Sequence, residues 1–250
     1  MSSFAESYDR FRPRPPEELL DLLVRIAGGG RPALVADLGS GTGLSTRAWL
    51  GRAERVVGIE PDSEMRAVAE AEGGAEYLAG SSAATGLPDG CADVVTCSQS
   101  LHWMEPEPTF AEVARILRPG GVFAAYDYDP IPVVHPEVEA ALAAVLDAAK
   151  GLRETTGRIS PWTSTAPLRK DEHLAAMRRS GAFRHVRETV LHSVEEGGAE
   201  RLLGYAGSLG AVEMHRDRLP LAELEATALR VLGDGIVPFW FGYRVRLGVR

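Results

Sequence analysis

"VADLGSGTGLS", residues 35–45, places Gly39, Gly41 and Gly43 within five positions, directly behind a short apolar run that ends in Asp37. Glycine at that density costs backbone entropy that an ordinary loop has no reason to give up. The stretch reads as a strand that delivers bare backbone to a ligand. Around it, 33–38 reads as a strand, 44–50 as a helix, 55–60 (RVVGIE) as a strand and 62–71 as a helix with Asp62 at its N-cap. Strands follow at 75–79 and 92–98 (ADVVTCS), then a helix over 110–117 closed by Arg118-Pro119-Gly120, then a strand over 121–128 (GVFAAYDY). Mostly apolar strands alternating with helices predict a parallel sheet covered on both faces. Right-handed crossovers make that sheet doubly wound, an α/β fold.

The flanks read differently. Residues 17–27 have helical periodicity and stop at Gly28-Gly29-Gly30. Residues 130–168 are rich in proline and loop residues around one alanine-rich helix, 136–149, and read as an insertion. A helix near 171–180, a β-run over 183–194, a long helical region over 199–232 and a final β-run over 236–249 complete the chain. The two closing strands suggest an antiparallel C-terminal edge on a seven-stranded Rossmann-like sheet. The expected organisation is a single domain, 1–250. It comprises an N-terminal lid and helix (1–30), a ligand-binding core (31–128), substrate-side cap elements (129–182 and 195–235) and C-terminal strands (183–194 and 236–249).

Composition narrows the partners. The net charge is −8, and Lys150 and Lys170 are the only lysines among 27 basic residues. An acidic balance without a basic stripe disfavours a nucleic-acid partner. No apolar run reaches the roughly 18 residues of a membrane span, so no membrane partner is expected. The polar start, MSSFAESYDRFRP, lacks an apolar signal core, and a cytoplasmic location is the expectation. Cys91 and Cys97 read as structural thiols, and the six histidines lack ligand spacing, so no metal is expected. Oligomeric state is not legible.

Glu60 sharpens the glycine loop. It ends the second strand, where an acid in a βαβ unit accepts hydrogen bonds from both hydroxyls of a ribose. Glycine loop and acid together indicate a nucleoside ligand. A nicotinamide dinucleotide favours G-x-G-x-x-G, whereas the register here is G-x-G-x-G with Leu44 in place of the last glycine. Asp37, directly before the loop, suits a cationic ligand bearing an amino group, such as S-adenosylmethionine, better than a pyrophosphate.

With these residues in view, DLGSGTG, Glu60, "LPDGCADVVTCSQSLHWM" and "ARILRPGGVFAAYDY" resemble the class I S-adenosylmethionine-dependent methyltransferases. The chain is similar in particular to the small-molecule branch that includes trans-aconitate methyltransferase-like enzymes. Tyr8, Arg12-Pro13, His102-Trp103 and the 130–168 insertion carry that part of the resemblance. It implies that Asp37, Gly39, Ser40 and Gly41 line the methionine part of the cofactor. Glu60 would hold the ribose, Pro61 and Met65 would flank the adenine, and Ser81, Ser82 and Ala83 would meet the adenine amine, with Ala83 where an acid is common. Ser98 would begin the segment beneath the sulfonium, and Tyr8 and Arg12 would belong to a lid.

Methyl transfer from a sulfonium needs alignment and exclusion of water, and it needs a base only where the acceptor arrives protonated. His102, directly after the fourth strand, is the candidate base; packing on the cofactor is its alternative role. Trp103, Tyr126, Tyr128, Trp162 and Tyr205 are candidates for the acceptor pocket, with ordinary core packing as the alternative. The expected activity is O-, N- or C-methylation of a small organic metabolite, with natural-product biosynthesis as one setting. Two other readings stand beside it: a catalytically silent cofactor-binding subunit, and a nucleic-acid methyltransferase. The second is weakened because Ser98-Gln99-Ser100-Leu101 occupies the place of an Asn/Asp-Pro-Pro-aromatic motif.

Overall fold

The computed structural model describes residues 4–156 and 169–250, with side chains described over 8–152 and from Arg169 onward. Seven strands form one sheet in the order β3-β2-β1-β4-β5-β7-β6. They are β1 (Leu34–Leu38), β2 (Arg55–Ile59), β3 (Glu76–Leu78), β4 (Ala92–Ser98), β5 (Leu117–Tyr128), β6 (His185–Gly197) and β7 (Val237–Val249). β1 is parallel to β2 and to β4, with Val35 opposite both Val56 and Val94. Every residue of β1 is buried, as a strand covered on both faces requires. β7 pairs antiparallel with β5, from Tyr128 opposite Tyr243 to Val122 opposite Val249. The strand order reverses between β1 and β4, so the ligand crevice of such a sheet opens at their carboxyl ends.

The helices are α1 (Phe4–Phe11), α2 (Glu17–Ile26), α3 (Leu44–Arg47), α4 (Ser63–Glu72), α5 (Pro106–Ile116), α6 (Pro136–Thr156), α7 (His173–Arg179), α8 (Ala199–Ser208), α9 (Gly210–Met214) and α10 (Leu221–Leu232). None among the described residues is long and apolar enough to cross a membrane. The chain divides into two compact units. A sheet unit takes 14–128, 159–191 and 243–250, and a helical unit takes 1–13, 129–158 and 192–242.

In the sheet unit, one face is built around Phe110, Phe123 and Phe183. Phe123 and Phe183 stack at 5.5 Å, and Phe110 meets each edge-on at 6.0 Å. Burying each such ring contributes roughly 1.5–3 kcal/mol. Gly248 lies under this stack, where a Cβ would stand 2.7 Å from the Phe183 ring. In the helical unit, α6 packs on α9 and α10, and α1 packs on α8. Gly204 lets α1 approach, since a Cβ there would stand 2.5 Å from the Phe11 ring.

Several boundaries differ from the sequence reading. The helix expected over 44–50 is one turn, Leu44–Arg47, so it offers no extended dipole to the glycine loop. β5 starts at Leu117 rather than 121, because a register shift opposite Ala92 and Val94 absorbs Pro119 and Gly120. The helical region expected over 199–232 is broken into three helices. Leu209 is extended at φ −73°, ψ 118°, and a 3-10 turn at Arg216–Arg218 leads into Pro220.

Candidate functional site

The glycine loop leaves β1 at its carboxyl end. The amides of Gly39 and Ser40 both donate to the Ile59 carbonyl, at 2.8 and 3.2 Å, which ties the loop to the end of β2. Gly39 and Gly41 have φ of 66° and 56°, a region that side-chain-bearing residues avoid. The two glycines serve different purposes. A Cβ at Gly39 would stand 2.8 Å from Ser100 Cβ and 2.9 Å from Met104 Cε, so the segment after β4 lies against the loop. At Gly41 a Cβ would meet nothing within 4 Å. There the bare backbone faces open space.

Glu60 follows β2 and is only 7% exposed. Its Oε2 accepts from the Gly41 amide at 2.8 Å, and its Oε1 from the Asp62 amide at 2.9 Å. Burial raises its pKa, against these two amide bonds that lower it. A carboxylate has about four lone-pair positions, so two bonds leave acceptor capacity for a diol. Ser40 Oγ is also buried and has no hydrogen-bond partner among the described residues.

Asp37 corrects one expectation. Its side chain is fully buried, and its carboxylate accepts from Ser45 Oγ at 2.6 Å, Thr46 Oγ1 at 2.7 Å and Thr96 Oγ1 at 2.7 Å. Burial pushes its pKa up against those three hydroxyls. The carboxylate binds β1, α3 and β4 together and shapes the loop, rather than lining a ligand. Asp62 caps α4 by accepting from the amides of Glu64 and Met65, which sets Met65 on the first turn beyond exposed Pro61. Ser81 and Ala84 exchange backbone hydrogen bonds, with Ser82 and Ala83 at the tip of that turn. Ser82 Oγ lies 2.8 Å from Thr109 Oγ1.

Ser98 ends β4 opposite Tyr126. His102 and Trp103 sit on a 3-10 turn at Leu101–Trp103, their rings 4.7 Å apart. Tyr126 and Tyr128 are buried in the sheet unit against Tyr243, at 6.5 and 5.5 Å, which makes them core tyrosines in place of the expected pocket walls. Tyr205 is likewise core in the helical unit. It is 1% exposed, edge-on to Phe241, and donates to the Pro130 carbonyl. Tyr8 and Arg12 belong to the helical unit, where the Arg12 guanidinium stacks on the Tyr8 ring and donates to the Ser208 carbonyl. Trp162 lies outside the described residues. Cys91 and Cys97 are free thiols.

The sequence reading missed the charged group at the end of β5. Asp127, 6% exposed, receives Arg246 Nη1 at 2.6 Å on Oδ2 and Lys170 Nζ at 3.0 Å on Oδ1. His173 Nδ1 lies 3.5 Å from Oδ2 and His102 Nδ1 lies 3.8 Å from Oδ1. Burial alone would raise the Asp127 pKa. His173, Lys170 and His102 outweigh it and hold the carboxyl well below the usual range. Gln99 is the one non-glycine residue with positive φ among the described residues, at 54°, and its Oε1 accepts from Lys170 Nζ at 2.6 Å. The signals were an acid inside a hydrophobic strand and a rare lysine.

A parallel sheet with a glycine loop after β1 and a buried acid after β2 is the frame of a nucleoside-binding α/β domain. Residues 36–125 match the family described as "Methyltransferase domain". An uncharacterized methyltransferase of Mycobacterium tuberculosis is 38% identical over 116 residues, 46% of each chain. The chain spans about half the length of the first curated relatives it matches. The malonyl-[acyl-carrier protein] O-methyltransferase of Pseudescherichia vulneris is 28% identical over 200 residues, 76% of this chain and 78% of that one. A solved structure designated a type II methyltransferase, from Anaeromyxobacter dehalogenans, superposes with a TM-score of 0.72 at 27% identity, covering 96% of this chain and 98% of that one.

Proposed function

We propose that this protein transfers a methyl group from S-adenosylmethionine to a small organic acceptor. The observation that carries the reading is Glu60, a buried carboxylate with spare acceptor capacity held beside the open backbone of Gly41. The residues present fit the cofactor. Glu60 would accept from the ribose hydroxyls, Gly41 admits the chain of the ligand without a Cβ, and the orphaned Ser40 Oγ is a hydrogen-bonding group in need of a partner. Pro61 and Met65 would flank the adenine, and the Ser81–Ala84 turn would face its amine. S-adenosylmethionine, when bound, supplies a methyl group already activated by a sulfonium.

The protein's part is alignment and exclusion of water, effects worth about 7–11 kcal/mol in well-oriented reactions. Asp37 and the Ile59 carbonyl fix the loop, so that little is left to order on binding. His102 and Trp103 follow β4, whose carboxyl end lies next to the loop. His102 is the candidate to take a proton from the acceptor. The net charge of −8 supports a small acceptor over a nucleic acid. The malonyl-[acyl-carrier protein] O-methyltransferase among the relatives is named for an acyl group rather than a nucleic acid, which supports a small acceptor group.

The test is calorimetric titration of the parent protein and a Glu60→Ala variant with S-adenosylmethionine, with S-adenosylhomocysteine and with NAD. Loss of two charge-assisted bonds should weaken binding of both adenosyl compounds at least about 100-fold. NAD should not bind. Equal affinity in parent and variant, or binding of NAD in place of the adenosyl compounds, would overturn the reading.

A further inference from the structure

The chain changes direction at Gln99. Its amide still donates to the Tyr126 carbonyl at 2.9 Å, which continues the pairing of β4 with β5. One residue on, Ser100 is buried, and its Oγ donates to the Leu38 carbonyl at 2.8 Å, at the end of β1. Ser100 Cβ and Met104 Cε crowd Gly39 so closely that a Cβ there would stand within 2.8 and 2.9 Å of them. The segment after β4 therefore backs the glycine loop. Between these two anchors Gln99 holds φ 54°, a left-handed turn that disfavours a residue with a side chain roughly tenfold. Glycine takes that region freely, and asparagine and aspartate do so with local hydrogen bonds; glutamine has neither advantage.

What holds the turn comes from far along the chain. Lys170 Nζ donates to Gln99 Oε1 at 2.6 Å, and Gln99 Nε2 donates to the Tyr128 carbonyl at 3.3 Å. Lys170 is itself fixed twice. Its Nζ stands 3.0 Å from Asp127 Oδ1, and its carbonyl accepts from Arg246 Nη2 at 2.9 Å. Arg246 is buried and also pairs with Asp127 at 2.6 Å through Nη1. A strained backbone persists only where its surroundings over-determine it, and such strain gathers at functional sites.

We infer that Gln99 and Lys170 are positioning residues for the methyl donor: their hydrogen bond latches the segment after β4 in its left-handed turn and so keeps Ser100 and Met104 against Gly39. The inference rests on the methyltransferase reading and deepens it. The latch acts on the ligand-free protein. Once it is removed, the turn relaxes, Ser100 leaves the Leu38 carbonyl and the glycine loop loses its backing. The donor must then restore the turn on binding, and its apparent affinity falls with the fraction of molecules that still hold it.

Glycine separates a latch from ordinary packing. Gln99→Ala keeps the cost of the turn and removes the latch, whereas Gln99→Gly removes both. In calorimetric titration with S-adenosylhomocysteine, Gln99→Ala and Lys170→Met should each bind about tenfold more weakly than the parent, and Gln99→Gly should recover all but about threefold. Lys170→Met added to Gln99→Gly should weaken binding no further, since nothing is left for the lysine to hold. Loss of packing alone would give the opposite order, with glycine below alanine. Glycine as weak as alanine overturns the inference, as does parent-like affinity in Gln99→Ala or Lys170→Met, or a Lys170→Met loss of equal size in both backgrounds. Lys170 is 42% exposed, so Lys170→Met should fold even where the Gln99 variants do not. It then decides through amide hydrogen exchange in the ligand-free protein. The Trp103 and Met104 amides, bonded to the Ser100 and Leu101 carbonyls, should exchange at least about threefold faster while those of β1 keep their parent rates, and unchanged exchange overturns the inference. A parent that binds neither adenosyl compound overturns the methyltransferase reading, whereas a parent that binds with variants out of this order overturns the latch alone.

Discussion

A carboxylate at the mouth of a parallel sheet is desolvated whether or not a ligand is bound, and Glu60 carries the consequence. Burial raises its pKa more than the Gly41 and Asp62 amides lower it. A folded-state pKa above the unfolded value stabilises the protein at low pH and ceases to do so as pH rises through the folded value. At neutral pH the ligand-free protein therefore holds an ionised Glu60 at a cost, and ribose hydroxyls would relieve it by supplying hydrogen bonds. Protonation removes that gain. The rise in Tm produced by a fixed saturating concentration of S-adenosylmethionine should shrink as pH falls from 7.5 toward the raised pKa, and a Glu60→Gln variant should show a small rise with no such pH dependence. A ligand-induced Tm shift as large in Glu60→Gln as in the parent would contradict this account.

Among the elements, α5 is fastened to the turn before β4 by a single carboxylate. Glu112 accepts from Arg115 at 2.7 and 2.8 Å, from the Thr85 amide at 2.8 Å and from Thr85 Oγ1 at 2.6 Å, while Arg115 also donates to the Leu87 carbonyl. The Arg115 guanidinium, helped by both Thr85 donors against burial, lowers the Glu112 pKa from 4.5 to about 2. A lowered folded-state pKa contributes stability that is complete above the unfolded value and lost as pH falls through the folded one. Glu112→Gln should therefore cost about 1–3 kcal/mol at pH 7, and the gap should close between about pH 4.5 and 2. Urea unfolding at pH 7 and at pH 3 measures it, and an equal loss at both would rule out the charge. At this scale the sequence was readable wherever an element was decided locally. The apolar runs of β1, β2 and β4 are legible because both of their faces are buried. The N-cap Asp62 was legible because the amides that donate to it are two and three residues away. β5 was misjudged at its start because Pro119 looks like a terminator until its partner strand supplies a register shift. The break at Leu209 was missed although Gly210 and Pro220 stood in the sequence, since alanine and leucine periodicity on either side concealed a change of axis.

For the whole molecule, legibility ends where contacts join distant parts of the chain. Glu60 and Gly41 are 19 residues apart and belong to one βαβ unit, so their meeting could be read from spacing. Asp127 and Arg246 are 119 residues apart, and Gln99 and Lys170 are 71 apart. Nothing in local pattern brings them together; the antiparallel return of β7 beside β5 brings Arg246 to Asp127, and Arg246 in turn donates to the Lys170 carbonyl. Asp37 was legible as a residue but not as a direction, because only the fold shows that three hydroxyls enclose it. Charge is the one property that acts over the molecule as a whole, and it bears on the acceptor. A net charge of −8 disfavours the approach of a phosphate backbone on average. Incubated with labelled S-adenosylmethionine and a fractionated cell extract, it should place the label in the low-molecular-mass fraction, with counts in purified DNA and RNA at background in 50 mM as in 200 mM salt. Electrostatic exclusion weakens as salt screens it, so label appearing in nucleic acid only at the higher salt would still conflict with the proposed small acceptor. Label in nucleic acid at both salts would show that a local surface overrides the overall charge.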